Sequence, residues 1–440
     1  MARGDRKRVK IVAIGVGSAS FGRGVLADVL GHPLMQELEV NLVLVDIDPV
    51  ALERMTRVAE IIRRHYGSRA SIEKTTERRT ALKGAKYVVL SVATHRMALW
   101  EQDFRVPLAY GFKHPLGENG GPGAVFHTLR SLELVLPICR DVQRLCPRAL
   151  VLNYTNPESR VIMGVNSLTA VRAVGLCHGQ MTARHVLAER ILRRPPESID
   201  SVAGGLNHFF WFTRIADAKT GRDLYPLVRR RIARDPTLVP PLVRKMVEVF
   251  GHYTYPSDDH IGEYLSFAHE FTGLKWHYGQ ESKKVTRDQS PVASEDWLGP
   301  YLTGKQDPDQ RLVGLTEELA VPIITGIELN KHTRLPAVNV LNAGGYVENL
   351  PHDAIVEVPA VADRRGITPQ RIGPLPEALA AYCRTQVSIQ KLIIEAYRRR
   401  SKNLLLQALL LDPVVHHVGH AAQMLDDMLA LQADYLPKFR

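Results

Sequence analysis

The chain has 440 residues, 45% hydrophobic and 23% charged, with 57 Lys and Arg against 46 Asp and Glu, a formal net charge of +11. That length buries a large core and predicts two lobes or one large α/β unit. It excludes a membrane span, because no stretch approaches roughly 20 consecutive apolar residues, and a disulfide framework, because only four cysteines are present.

The basic residues fall in scattered runs at Arg6–Arg8, Arg193–Arg194, Arg229–Arg234 and Arg398–Lys402. Without interleaved aromatics these read as solvated helix faces rather than a nucleic-acid surface, and the same field would attract an acidic small molecule. The amino terminus is charged and lacks an apolar h-region, so a cytoplasmic protein is expected.

Val9–Gly15 reads as a hydrophobic strand and Phe21–Leu30 as the following helix. Val40–Val45 is a second strand closing on Asp46, and Pro49–His65 has helical periodicity with proline at a permitted first-turn position. Tyr87–Val92 is a short strand, Gly123–Leu145 a long helix and Ala149–Leu152 a further strand. This alternation predicts an α/β fold, with a Rossmann-type doubly wound parallel sheet over residues 1–200. From Ser201 the texture changes. Strand-like runs mix with helical stretches at Leu227–Phe250, interrupted by prolines, and the longer Pro376–Leu410, with an amphipathic tail from His416 to Leu431, predicting a second, α+β substrate- and metal-binding domain over 201–440.

The first turn reads Gly15-Val16-Gly17-Ser18-Ala19-Ser20-Phe21. Two glycines permit a tight turn and a close approach of backbone to a pyrophosphate resting on the positive end of the next helix. The third fingerprint position holds Ser20 rather than Gly or Ala, so the letters alone also fit a plain glycine turn. Context favours the dinucleotide: a strand before, a helix after, and Asp46 where a ribose-binding acid belongs. Gly15, Gly17, Ser18, Ser20, Phe21 and Asp46 are the cofactor-binding candidates. A carboxylate at position 46 favours NAD over NADP, because it would repel a 2′-phosphate.

Three later segments bring a further set of side chains to apolar, β-prone runs. Asn156 follows Ala149–Leu152, Cys177 follows Ala173–Leu176, and His208 lies within Leu206–Thr213. A thiolate, an imidazole and a carboxamide oxygen suit a divalent transition metal with positions left open for substrate oxygens. Cys139, Cys146 and Cys383 read as buried packing thiols. Cys177 differs, because Gly175, His178 and Gly179 make its surroundings an open polar turn. The spacing matches no zinc finger. Residue types alone leave ligation and packing both open for Cys177 and His208.

Further motifs follow in order: Asp103-Phe104-Arg105-Val106-Pro107 with Tyr110-Gly111; Gly117-Glu118-Asn119-Gly120-Gly121-Pro122-Gly123; Asn156-Pro157; Cys177-His178-Gly179; Asn207-His208; and Asp259-His260 leading to Glu263-Tyr264. Asn339-Val340-Leu341-Asn342, Asn349-Leu350-Pro351 and Val356-Glu357-Val358-Pro359 complete the series. Together with the first-turn loop, this set resembles glycoside hydrolase family 4, the NAD- and metal-dependent glycosidases related to lactate and malate dehydrogenases. The resemblance spans nearly the whole chain.

The resemblance implies a reaction outside the paired-carboxylate route of most glycosidases. NAD takes hydride from C3 of the glycone, a base removes the acidified C2 proton, the leaving group is eliminated, water adds, and NADH returns the hydride. Cys177 and His208 are implied to hold Mn²⁺, with Asn156 contacting the sugar hydroxyls. Some members carry Asp after the metal cysteine as an acid; here the residue is His178. For the C2 base the segment Ser257–Tyr264 offers Asp259, with His260 beside it. Glu118 and Asn119 on the glycine-rich loop are further substrate-binding candidates.

The expected substrate is a small-molecule glycoside, an α-hexoside or an α-uronide whose carboxylate Arg96, Arg105 or Arg287 would hold in a bidentate fork. No nucleic-acid or membrane partner is expected, and the assembly is expected to be a homodimer or homotetramer. Two alternatives stay open: a metal-free NAD-dependent 2-hydroxy-acid dehydrogenase sharing the first lobe, and a 6-phospho-glycosidase of the same family.

Overall fold

Six runs in the first half of the chain become parallel strands: β1 (Arg8–Ile14), β2 (Glu39–Val45), β3 (Ser71–Thr75), β4 (Tyr87–Leu90), β5 (Leu150–Asn153) and β6 (Arg172–Gly175). They pair in the order β3-β2-β1-β4-β5-β6, the doubly wound arrangement. A computed structural model describes residues 6–18, 21–274, 276 and 297–440. Every residue of β4 and β5 is buried, as strands covered on both faces require. Alternation along β1 sends Val12 and Ile14 into one core and Val9, Ile11 and Ala13 into the other.

The sheet does not end at β6. Five more strands, β7 (Ile199–Leu206), β8 (Phe209–Asp217), β9 (Thr333–Leu341), β10 (Ile355–Asp363) and β11 (Gly366–Pro369), extend it to eleven in the order β6-β9-β10-β7-β8, with β11 on β10. Among the described residues the pairings of these named strands are antiparallel. β6 meets β9 through the single register pair Gly175 and Asn339. The late helix Ala320–Leu329 packs into the core behind β1, so residues from the second half cover a face of the parallel sheet.

Helices Pro49–His65 and Gly123–Leu145 match the expected boundaries. The first is capped by Asp48, whose carboxylate accepts the Val50 and Ala51 N–H groups. The proline-interrupted stretch Leu227–Phe250 is two helices, Tyr225–Arg234 and Pro241–Phe250: Pro236 follows the end of the first and Pro241 opens the second. Likewise Pro376–Leu410 divides into Glu377–Arg399 and Lys402–Leu410, where Arg400 takes a left-handed conformation and Ser401 caps the second helix. The apolar run Leu206–Thr213 is cut by a two-residue turn, Asn207-His208, into the end of β7 and the start of β8.

The outermost strands are protected. β3 carries Glu73, bonded to Asn41 at 2.8 Å, and Lys74, paired with Glu53. At the other end the segment at Tyr253 and Thr254 closes on β8, with the Phe212 N–H donating to the Tyr253 carbonyl at 2.9 Å. Among the described residues no helix is long and apolar enough to cross a membrane.

Candidate active site

The first turn lies between the carboxyl ends of β1 and β4. Gly15 has φ +85°, and a Cβ there would stand 1.9 Å from the Ser91 carbonyl oxygen, so only glycine fits. The Gly17 N–H donates to Asp46 Oδ2 at 2.7 Å while the Asp48 N–H donates to Oδ1 at 3.0 Å, fixing the Asp46 carboxylate at the rim of the loop. The Ser18 hydroxyl accepts the Phe21 N–H at 3.3 Å, and the Phe21 ring packs on Tyr154 at 4.7 Å. Ser20 lies outside the described residues. The close approach of helix to loop falls to Gly22, whose Cβ would stand 2.1 Å from the Val16 carbonyl oxygen. Beside Asp46, Ile47 is 89% exposed, an apolar surface against which a flat ring can lie.

Cys177 and His208 come together. Cys177 follows β6, His208 sits in the β7–β8 turn, and Sγ and Nε2 are 3.3 Å apart, so both donors can face one ion. His208 is a non-glycine residue at φ +62°, at a turn position where glycine or asparagine is the easy choice. Backbone strain of this kind is a mark of functional sites. His208 Nδ1 is buried without a partner, and the ring stacks on Tyr255 at 5.6 Å. Among the described residues no third His, Cys, Asp or Glu joins the pair, so it is a two-ligand set with open positions. Burial, reinforced by Glu357, pushes the Cys177 thiol up to about 11.

Asn156 does not act alone. Its Nδ2 reaches Glu118 Oε1 at 3.5 Å, and Arg96 Nη2 meets the same oxygen at 2.9 Å. Glu118 is buried on the glycine-rich loop beside buried Asn119. Burial works against its charge, but Arg96, His127, His260 and His208 outweigh it and lower its pKa to about 2. The loop is tied down from below: the N–H groups of Glu118 and Asn119 donate to Glu263 Oε1 at 2.5 and 2.8 Å.

The three titratable residues after Ser257 have separate duties. Asp258 accepts the N–H groups of Leu242 and Val243, both at 2.9 Å, and so caps the helix Pro241–Phe250. Asp259 Oδ1 accepts from the Ser257 hydroxyl, the His260 N–H at 3.0 Å and His260 Nδ1 at 3.2 Å. Burial pushes its pKa up, but His260 and the Ser257 hydroxyl pull it well below the usual carboxylate range. A proton on Nδ1 leaves Nε2 as the basic nitrogen of the His260 ring, whose centroid is 4.9 Å from that of His208. His178 follows Cys177 in the chain, its side chain 63% exposed and its Nδ1 3.2 Å from Glu318 Oε1. That hydrogen bond raises its pKa to about 9, although solvent screens so exposed a pair.

Sequence reasoning missed the carboxyl groups beneath the site. Glu357 accepts from Asn207 Nδ2 at 2.8 Å and Asn339 Nδ2 at 3.3 Å, and burial raises its pKa. Both carboxyl oxygens of Glu158 are buried without partners, and burial, then Glu357 and Cys177, raise its pKa far above the ordinary range. Glu263 and Glu357 stood inside the sequence motifs, but nothing local to them signalled that they fold underneath the site.

Known proteins resemble this chain over nearly its whole length. The model for the family 4 glycosyl hydrolases matches residues 10–192, and that for the family 4 glycosyl hydrolase C-terminal domain matches residues 203–415. The chain is 30% identical to an alpha-glucosidase of Erwinia rhapontici, over 97% of this chain and 98% of that one. It is 31% identical to an alpha-galactosidase of Bacillus subtilis (strain 168), over 98% and 100%. Among solved structures, a 6-phospho-alpha-glucosidase from gut microorganisms, in complex with NAD and Mn²⁺, shares the fold with a TM-score of 0.84 at 23% identity, covering 99% of this chain and 100% of that one.

Proposed function

The chain belongs to the family 4 glycosyl hydrolases, and from that premise we propose that it is an α-hexosidase working with NAD and Mn²⁺ by oxidation, elimination and re-reduction of the glycone. One observation carries the reading. A thiol and an imidazole face each other at 3.3 Å beside the carboxyl edge of the sheet whose first turn forms the dinucleotide loop. The names of the relatives, an alpha-glucosidase and an alpha-galactosidase, support the anomer and the hexose. The cofactors of the structural relative support the pair NAD and Mn²⁺.

When bound, NAD supplies hydride removal and return at C3, and Mn²⁺ supplies Lewis acidity toward the oxygens on C2 and C3. The chain's own residues do the rest. The Gly15–Phe21 loop and Asp46 hold the dinucleotide by backbone N–H groups and one carboxylate. Cys177 and His208 hold the metal, and Asn156 and Glu118 orient the sugar hydroxyls. Asp259 is engaged with Ser257 and His260, so the base we assign is His260 Nε2, with Asp259 orienting the ring as a carboxylate orients a catalytic histidine. His178, hydrogen-bonded to Glu318 Oε1 at 3.2 Å, is the proton source we assign for the leaving oxygen.

The test is turnover of nitrophenyl α-glucoside and α-galactoside in D₂O, with NAD and metal removed separately. Cleavage should need both and should place deuterium at C2 of the product. Full cleavage without either, or product carrying no deuterium, overturns the reading.

A further inference from the structure

Arg96 shares a carboxylate with Asn156 and has its side chain 45% exposed, yet its charge is already matched. Its Nη2 lies 2.9 Å from Glu118 Oε1, the oxygen that Asn156 Nδ2 also reaches, and Asn119 Nδ2 donates to Oε2 at 3.4 Å. The Glu118 carboxylate is thus held by three donors. The other guanidinium lining the small cavity behind it, Arg130, is closed off by Asp103 Oδ1 at 3.0 Å and by Gln432. His127 gives its Nδ1 to the Glu118 carbonyl at 2.8 Å, and burial lowers its pKa to about 4, so it adds no free charge. Arg105, one of the guanidiniums expected to hold a uronate, faces Glu101 on the surface at 2.6 Å. Arg287 lies outside the described residues.

The geometry points to Glu118 as the residue that sets the charge of the glycone: it masks Arg96, so the site takes a neutral sugar, and its removal uncovers a latent anion site. This rests on the α-hexosidase reading. A fixed carboxylate can only accept hydrogen bonds, and a hydroxyl can donate them. A sugar carboxylate or phosphate has no proton to give Glu118 and meets a like charge in its place. Arg96 would otherwise present a planar fork suited to either anion. Selectivity here comes from repulsion of the wrong ligand as much as from attraction of the right one.

The test uses the enzyme loaded with NAD and Mn²⁺ and nitrophenyl α-glucoside, α-galactoside, α-glucuronide, α-galacturonide and 6-phospho-α-glucoside. Native enzyme should favour the neutral substrates. Glu118→Gln should shift the anionic-to-neutral ratio of kcat/KM by about tenfold or more toward the anions, since a like charge across a binding site is strongly discriminating. The double variant Glu118→Gln, Arg96→Gln should lose that gain. No shift in Glu118→Gln, a gain that survives without Arg96, or a native preference for a uronide or phosphorylated substrate each overturns the inference, and the uronide and phosphate arms tell the anions apart. Thermal shift with glucuronate against glucose reads binding where turnover is impaired. Glucuronate should stabilise Glu118→Gln and leave the native protein unmoved, and equal shifts in the two proteins overturn the masking. If the native enzyme cleaves no glycoside at all, the α-hexosidase reading falls, and this inference with it.

Discussion

Glu263 is a buried acid with one oxygen holding the glycine-rich loop by two backbone N–H groups and the other without a partner. Burial, and then the charge on Glu118, raise its pKa to about 8. A folded pKa above the unfolded one means that the neutral form is favoured by folding. Its contribution to stability is complete below the ordinary glutamate range and is lost as the pH rises through about 8. Glu263→Gln keeps an acceptor for the loop and removes the titration. The thermal stability of that variant should fall less steeply than that of the native protein between the ordinary glutamate range and about pH 8, and parallel curves would place the charge elsewhere. At this scale the sequence showed what chemistry announces by itself: Cys177 in its polar turn, Glu118 among glycines, Asp46 after a strand. Glu158, Glu263 and Glu357 were not legible, because a carboxyl group becomes unusual only when the fold buries it.

The β7–β8 turn is the element that aims His208, the metal ligand we propose, and it does so at a positive φ that is uncommon for any residue but glycine. Asparagine tolerates the left-handed region far better. His208→Asn should therefore abolish Mn²⁺ binding, followed by calorimetry, while holding or raising stability by about 1 kcal/mol through relief of backbone strain. A large loss of stability with metal binding retained would make His208 a packing residue. The turn was hidden in the sequence because β-prone residues flank it closely and a two-residue hairpin usually advertises itself with glycine. Asn207 was half of that signal. The division of the later helices was more readable, since Pro240, Pro241 and the Arg400–Ser401 pair are breakers and caps in their own right.

Over the whole molecule, the parallel half was plain from strands alternating with helices, each closed locally by a turn or a cap. The antiparallel half was not. β9 and β10 enter the sheet between β6 and β7 although more than a hundred residues separate them from either, and no local period encodes such a pairing. The helix Ala320–Leu329 was equally obscure, because it completes a core begun three hundred residues earlier. Among the described residues the main path of this sheet ends in two flanks, β3 and β8, and their treatment bears on how the protein behaves in concentrated solution. At one flank Glu73 and Lys74 on β3 confront any approaching strand with charge, and at the other the backbone of Tyr253 and Thr254 already occupies β8. Replacing both Glu73 and Lys74 by valine should leave kcat untouched and bring turbidity on sooner as concentration rises, measured by light scattering. The colloidal life of the enzyme and its catalysis are therefore governed from opposite places, the first at the margin of the sheet and the second along its carboxyl edge, and can be altered independently.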